Sequence, residues 1–202
     1  MRHCLAVLCA VACSHAQAPA VVGQETKAAP AGDPIAAFET VKTVLQSPRC
    51  VNCHPVGDVP LQGDDGHPHS PLILRGVEGR GVAGLSCSAC HGKANLPASY
   101  GAHTPPGVAT EWRLPPADHK LVFWGVDSRS LCEQVKDPKR NGGKDMAALK
   151  HHMTEDALTR WGWDPGFGRK PVAISHEEFV RAFNTWADAG APCAGARTAS
   201  NR

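Results

Sequence analysis

The sequence predicts a mainly α-helical protein with long loops, few or no strands and a single folded domain. Three observations predict this class. Its length of 202 residues suits one domain. Helical periodicity is found at the start of the folded region and again in its last third. The stretch between these regions is dominated by Gly, Pro, Asp and His, which are typical of loops.

The first 18 residues predict an export signal. A short, positively charged start precedes an apolar run at residues 5–13, and residues 16–18 (Ala-Gln-Ala) have the small side chains of a cleavage site. The run is shorter than the roughly 20 residues that span a bilayer. We therefore expect residues 1–18 to be removed and the mature chain to be soluble in the periplasm. The alternative is cleavage before Cys13 and lipid attachment to it, which would anchor a lipoprotein.

The rest of the chain divides into three parts. Residues 19–32 are rich in Ala and Pro and predict a disordered leader. Residues 33–194 predict one folded domain, and residues 195–202 a flexible tail. No further segment is apolar enough to predict a transmembrane helix. The net charge of +2 and the pI of about 8.1 give no basic footprint of the kind that binds nucleic acid.

The first predicted helix starts at Asp33-Pro34, a cap followed by proline at the first helical position. It is expected to continue until just before Cys50. Apolar residues recur along it at helical spacing: Ile35, Phe38, Val41, Val44 and Leu45.

The last third of the chain predicts three further helices. Ser128 is expected to cap a short helix to Val135, and residues 144–152 predict another. Ser175 and Glu178 form a capping box at the start of the last one. Residues 55–116, in contrast, are mostly loop, and a loop of that length is tolerable in a compact domain if it wraps a cofactor.

Two C-x-x-C-H sequences stand at residues 50–54 and 87–91, and this pattern is the attachment signature of haem c. Cysteines three residues apart can bond to the two vinyl groups on one porphyrin edge, and the adjoining histidine then binds the iron. The sequence thus predicts two covalent haem c groups, attached through Cys50, Cys53, Cys87 and Cys90, with His54 and His91 as proximal ligands.

Two alternatives remain for these cysteines. One is a four-cysteine zinc ribbon, although residues 54–86 form a longer gap than the roughly 15–20 residues usual there. The other is a set of disulfides within or between the pairs. The motifs are also too close in sequence to belong to separate cytochrome domains, so both haems are expected to share one fold.

The distal iron ligands are sought among seven further histidines in the mature chain. Met146 and Met153 are the only internal methionines there, so ligation by two histidines is favoured over histidine and methionine. His119 and His176 are interpreted as ordinary polar residues. The candidate distal ligands are His69, His103, His151 and His152.

Two single cysteines, Cys132 and Cys193, predict a disulfide, because export would place the chain in an oxidising compartment. The alternative is two buried free thiols. The sequence Trp-Gly-Trp-Asp-Pro-Gly at residues 161–166 is interpreted as a turn with core aromatics, with packing on a haem edge as the alternative.

With these motifs, the chain resembles the exported dihaem c-type cytochromes known as isoquinoline 1-oxidoreductase subunits. The resemblance spans roughly residues 35–193 and is carried by residues 50–69, 87–97, 131–143, 151–158, 161–169 and 176–193. It implies an electron acceptor for an exported molybdenum hydroxylase, passing electrons on to a respiratory chain.

The function expected from all this is electron transfer, without catalysis by the chain itself. The first alternative is a haem enzyme, such as a peroxidase or a reductase of small oxyanions, with one open iron position. Asp64, Asp65 and His67 are its candidate acid and base groups. A redox or gas sensor is the second alternative.

Overall fold

The computed structural model of the protein describes residues 32–195. The predicted signal peptide at residues 1–18, Cys13, the leader up to residue 31 and the tail from residue 196 lie outside the described residues.

Helices form most of the regular structure in residues 32–195, and the mainly α class with few strands is confirmed. The helices are α1 (Pro34–Leu45), α2 (Pro48–Val51), α3 (Ser128–Lys136), α4 (Met146–Glu155), α5 (Ala157–Arg160) and α6 (His176–Asp188). The strands are β1 (Leu61–Gln62), β2 (His67–Pro68), β3 (Gly81–Val82) and β4 (Leu85–Ser86). Strands β1 and β2 pair antiparallel, as do β3 and β4.

Helix α1 begins as predicted, because the Asp33 side chain accepts a hydrogen bond from the Ile35 N–H at 2.9 Å. It does not continue to Cys50, however. Ser47 has an extended backbone and Pro48 starts the separate helix α2. Proline lacks the N–H that a continuing helix needs and disfavours helical geometry in the residue before it. The predicted single helix is therefore two.

The next helices differ from expectation at their starts. Asp127, rather than Ser128, caps α3 by accepting from the Ser130 N–H at 3.0 Å. Asp145 caps α4 in the same way, so this helix starts later than predicted and runs on to Glu155. At α4 an aspartate is a better cap than the lysine before it, whereas Asp127 and Ser128 are comparable caps and the helix starts at the earlier of the two.

Helix α6 has the predicted cap, with the Ser175 hydroxyl accepting from the Glu178 N–H at 3.1 Å. Helices α1 and α6 pack together and form the centre of the core. Phe38 of α1 meets Trp186 of α6 with ring centroids 4.9 Å apart. The core is completed by buried residues of α3 and α4, among them Leu131, Val135, Leu149 and Met153.

The predicted disulfide between Cys132 and Cys193 is present. It joins α3 to the segment after α6, so it closes the helical core at one side. Within the described range, none of the helices combines the length and apolar character needed to cross a lipid bilayer.

A buried side chain and a close backbone contact fix the positions of the long loops. Arg75 has a side chain only 1% exposed, and it donates to Asp58 at 3.1 Å and to the Pro115 carbonyl. Gly79 has a positive φ of 76°, and a Cβ there would lie 1.9 Å from the Leu114 carbonyl oxygen. A glycine is thus required where these two loop segments meet.

Candidate functional site

The two C-x-x-C-H sequences fold into the same backbone turn. In each, the N–H groups of the second cysteine and of the histidine donate to the carbonyl of the first cysteine. These distances are 3.1 and 3.1 Å in residues 50–54, and 3.3 and 3.0 Å in residues 87–91. The first turn follows from α2, and the second follows β4 as a short 3₁₀ turn. The two motifs therefore adopt the same turn, although the element that precedes each of them differs.

Each turn opens into a cavity. The first cavity has a volume of 370 Å³, and residues of α1, α4 and α6 share its wall with Cys50, Cys53 and His54. The second cavity has a volume of 620 Å³ and is lined by loop residues together with Cys87, Cys90 and His91. Both volumes are in the range of sites that bind ligands of moderate size.

The two cavities are adjacent, because they share part of their walls. Trp112 stacks parallel to His91 with ring centroids 4.8 Å apart, and Trp161 meets Trp112 edge-on at 5.0 Å. This agrees with the expectation that both motifs serve one fold. The residues that line both cavities are Arg49, Cys53, Trp112, Arg113, Leu114 and Trp161.

The histidines of the two motifs are held in the same way. The Nδ1–H of His54 donates to the Leu121 carbonyl at 2.7 Å, and that of His91 to the Pro106 carbonyl at 2.8 Å. Burial lowers the pKa of His54 to about 4, although the hydrogen bond to Leu121 acts to raise it. Burial lowers the pKa of His91 as well. Both rings are therefore neutral at pH 7, with Nε2 available as a metal ligand.

Burial also keeps three of the four motif thiols neutral. Burial raises the pKa of Cys50 to about 11 and that of Cys53 to about 12, and it raises the pKa of Cys87. None of the four motif cysteines forms a disulfide with another described cysteine. In residues 32–195, no group of three or more His, Cys, Asp or Glu side chains is arranged to hold a metal ion. The geometry thus gives no support to a zinc ribbon or to disulfides here.

Three histidines besides His91 line the second cavity: His67, His69 and His103. The ring of His69 lies with its centroid 6.1 Å from that of His91, at an interplanar angle of 55°. Its Nδ1–H donates to the Pro71 carbonyl at 2.9 Å, which leaves Nε2 as the available nitrogen. His103 is exposed and has a positive φ of 61°.

The candidate acid and base groups also lie in the second cavity wall. The His67 Nδ1–H donates to Asp65 at 2.6 Å, and this hydrogen bond lowers the pKa of Asp65. Asp64 instead accepts from Arg49 at 2.6 Å. The three residues are thus brought together, but Asp64 is paired with a cation.

The first cavity is lined by His152 and also by His119, although the sequence indicates an ordinary polar residue at His119. The Nδ1 of His152 lies 3.2 Å from the Asp156 carboxylate, and their hydrogen bond lowers the pKa of Asp156. His151 is exposed and lines neither cavity. The two neighbouring histidines of α4 therefore differ completely in their surroundings.

The remaining residues of interest are His176 and the two tryptophans of residues 161–166. His176 bonds through Nε2 to the Met153 carbonyl and packs between Trp163 and Phe179, outside both cavities. Trp163 donates to the Ile174 carbonyl at 2.7 Å. Trp161, from the same turn, lines both cavities, and Trp163 also lines the first. Trp163 packs against the core, as the interpretation of this turn expects, and packing on a haem edge stays a prediction.

Sequence reasoning missed Trp112, Arg49 and Arg169, all of which line the second cavity. Trp112 stands in an aperiodic, proline-rich stretch. Arg49 directly precedes Cys50, and that adjacency was the one available signal.

Comparison with known proteins adds no constraint: the chain matches no family model, no curated protein and no solved structure.

Proposed function

We propose that the chain is an electron-transfer protein with two haem c groups, one attached to each C-x-x-C-H turn. The observation that carries this proposal is the repeated site: the same turn, twice, each in a cavity and each with its histidine Nδ1 bonded to a carbonyl. That bond fixes the ring and leaves Nε2 for the iron, as is usual for metal-binding histidines. A bound haem c would supply one reversible ferric–ferrous couple at each site.

His69 is the proposed distal ligand in the second cavity. Two imidazoles bound to opposite sides of one metal, each through a bond of about 2 Å, have ring centroids about 6 Å apart. The His69 and His91 centroids are 6.1 Å apart. His69 is also only partly exposed and has its Nδ1 held, whereas His103 is exposed. We therefore favour His69 over His103.

His152 is the proposed distal ligand in the first cavity. It shares that cavity with His54, and Asp156 holds its Nδ1. A carboxylate partner fixes the tautomer and makes the imidazole a stronger electron donor. His119 lines the same cavity, and its Nδ1 lies 3.0 Å from the Asp118 carboxylate. Asp118 is largely exposed, however, so it fixes the orientation of the His119 ring less firmly.

The redox partners follow from the expected export and from the family resemblance. An exported molybdenum hydroxylase releases two electrons per turnover, and two adjacent sites could accept them in succession. A respiratory chain component in the periplasm would then take them. Docking would be transient and over a small interface, as is common for redox proteins.

A haem enzyme is the second candidate function, and the Asp65–His67 pair in the second cavity wall is the observation that favours it. Such a pair could move a proton beside an open iron position. This function requires that His69 does not occupy that position.

The first measurement is the optical spectrum of the haem-loaded protein, oxidised and reduced, with and without carbon monoxide. We expect two low-spin haems per chain whose reduced spectrum is unchanged by carbon monoxide, because both distal positions are filled. A carbon monoxide shift at one haem of the native protein would favour the enzyme. A chain expressed with a haem-attachment system that carries no covalent haem would overturn the proposal entirely.

A further inference from the structure

Arg49 is an unusual residue in the wall between the cavities. Its side chain is only 2% exposed, and it lines both cavities. Its Nη2 donates to the Gly63 carbonyl at 2.9 Å and to the Asp64 carboxylate at 2.6 Å. Its Nε is buried and has no hydrogen-bond partner among the described residues. An unsatisfied donor of a buried guanidinium is costly, so a partner is missing from the protein itself.

Arg169 adds a partly buried guanidinium to the second cavity, whose wall also includes the exposed Arg113. It donates to the Pro165 carbonyl at 3.3 Å and to the Thr104 carbonyl, and no carboxylate among the described residues pairs with it. Burial lowers the pKa of Arg169, and the nearby charge of Arg49 lowers it further. Asp64 acts in the opposite direction. Of these two buried or partly buried cations, only Arg49 is thus bonded to a carboxylate, that of Asp64.

We propose that Arg49 and Arg169 form a carboxylate-binding site that holds a propionate group of the haem attached to the second motif. The inference rests on the proposed function, because it requires a haem there. The haem propionates are anionic, and a guanidinium N–H donates a charge-assisted hydrogen bond to a carboxylate. The free Nε of Arg49 supplies a donor that no acceptor within residues 32–195 satisfies.

Arg49 also fixes the relation between the two sites. It directly precedes Cys50, and it places its guanidinium in the wall of the second cavity. Attachment of the first haem and binding of the second therefore depend on neighbouring residues of one segment. Arg169 lines the second cavity alone, which assigns the carboxylate-binding site to that cavity.

The test uses the haem-loaded protein and the variants Arg49→Gln, Arg49→Lys and Arg169→Gln. Arg75→Gln is the matched control, since Arg75 is equally buried but lines neither cavity and has partners for its donors. Haem content, resonance Raman propionate bending modes and midpoint potentials are measured. The redox step that rises in His69→Met is assigned to the second haem, because methionine ligation raises the potential.

We expect both glutamine variants to retain two haems, to shift a propionate mode and to lower the midpoint potential of the second haem, because a positive charge beside it is lost. Arg49→Lys should restore the potential but not the mode, and Arg75→Gln should leave the mode unchanged. If Arg49→Gln fails to fold, Arg169→Gln alone decides. Unchanged modes and potentials with two haems bound would overturn the carboxylate site while the proposed function stands. Absence of haem from the native chain would overturn both.

Discussion

Four histidines have Nδ1 fixed by a neighbouring oxygen while Nε2 is the nitrogen proposed for iron, and the neighbour differs among them. For His54, His69 and His91 it is a backbone carbonyl. For His152 it is the carboxylate of Asp156. A carboxylate withdraws the proton more strongly than a carbonyl does, so the attached imidazole donates more charge to a metal. The two proposed distal ligands are therefore not equivalent.

Replacing His69 by alanine should open the iron of the second haem. We expect the reduced His69→Ala protein to bind carbon monoxide at one of its two haems, whereas the native protein ignores it. The change is measured as a carbon monoxide difference spectrum. His151→Ala is the control, since His151 is exposed and lines neither cavity. If the reduced His69→Ala protein still does not bind carbon monoxide, His103 or His67 becomes the proposed distal ligand of the second haem.

At the scale of elements, the junction between α4 and α5 combines a structural and a ligand-directed function in one residue. Asp156 ends α4 and caps α5 by accepting from the Leu158 N–H at 2.8 Å. The same side chain holds His152, one turn earlier on α4. The orientation of His152 thus depends on where one helix stops and the next starts.

Asp156→Asn should separate these two functions. Asparagine caps a helix about as well as aspartate, so little stability should be lost. The imidazole of His152 loses its anionic partner and donates less charge, so the midpoint potential of the first haem should rise. Asp145→Asn, at the cap of α4 with no histidine bonded, is the matched control. A first-haem potential that stays constant in Asp156→Asn, measured by redox titration, would argue against His152 as ligand.

The elements were largely predictable, because their signals are local. The starts of α1 and α6 are each predicted from a few residues, namely Asp33-Pro34 and Ser175 with Glu178. The break at Pro48 was missed since apolar periodicity continues on both sides of it. The cavity walls were less predictable. Trp112 lines them through contact with Trp161, and nothing in the intervening sequence encodes that contact.

The candidate site was likewise predictable only in part. The C-x-x-C-H turns follow from spacing alone, and their attachment of haem stays a prediction. The choice among distal histidines needed three dimensions. His151 and His152 are adjacent in sequence, yet only His152 lies in a cavity wall, because neighbouring helix residues point about 100° apart.

At the scale of the whole molecule, the helical core and the loop region depend on different interactions. The core packs α1 against α6 and is closed by the Cys132–Cys193 disulfide. The loops are fixed by buried side chains such as Arg75, and by backbone contacts at Gly79. Core residues of α1, α4 and α6 also line the first cavity, whereas neither cysteine of the disulfide lines a cavity. Removal of the disulfide can therefore test stability without a direct change to either proposed electron-transfer site.

The double variant Cys132→Ala/Cys193→Ala should lower the free energy of unfolding by about 2–4 kcal/mol, because the disulfide closes a long loop. The midpoint of chemical denaturation measures this loss. Optical spectra and carbon monoxide insensitivity should match those of the native protein, since neither cysteine lines a cavity. An unchanged denaturation midpoint would mean that the core does not depend on this bond.

The pairing of α1 with α6 also bears on biosynthesis. A chain that is translocated with its N-terminal end first delivers both cysteine pairs to the far side of the membrane before α6 arrives. Phe38 and its neighbours on α1 then have no Trp186 to pack against. The thiols of Cys50 and Cys53, buried in the finished fold, are accessible to an attachment enzyme during that interval. With the proposed export, the order in which the chain emerges would thus let the proposed haem attachment precede closure of the core.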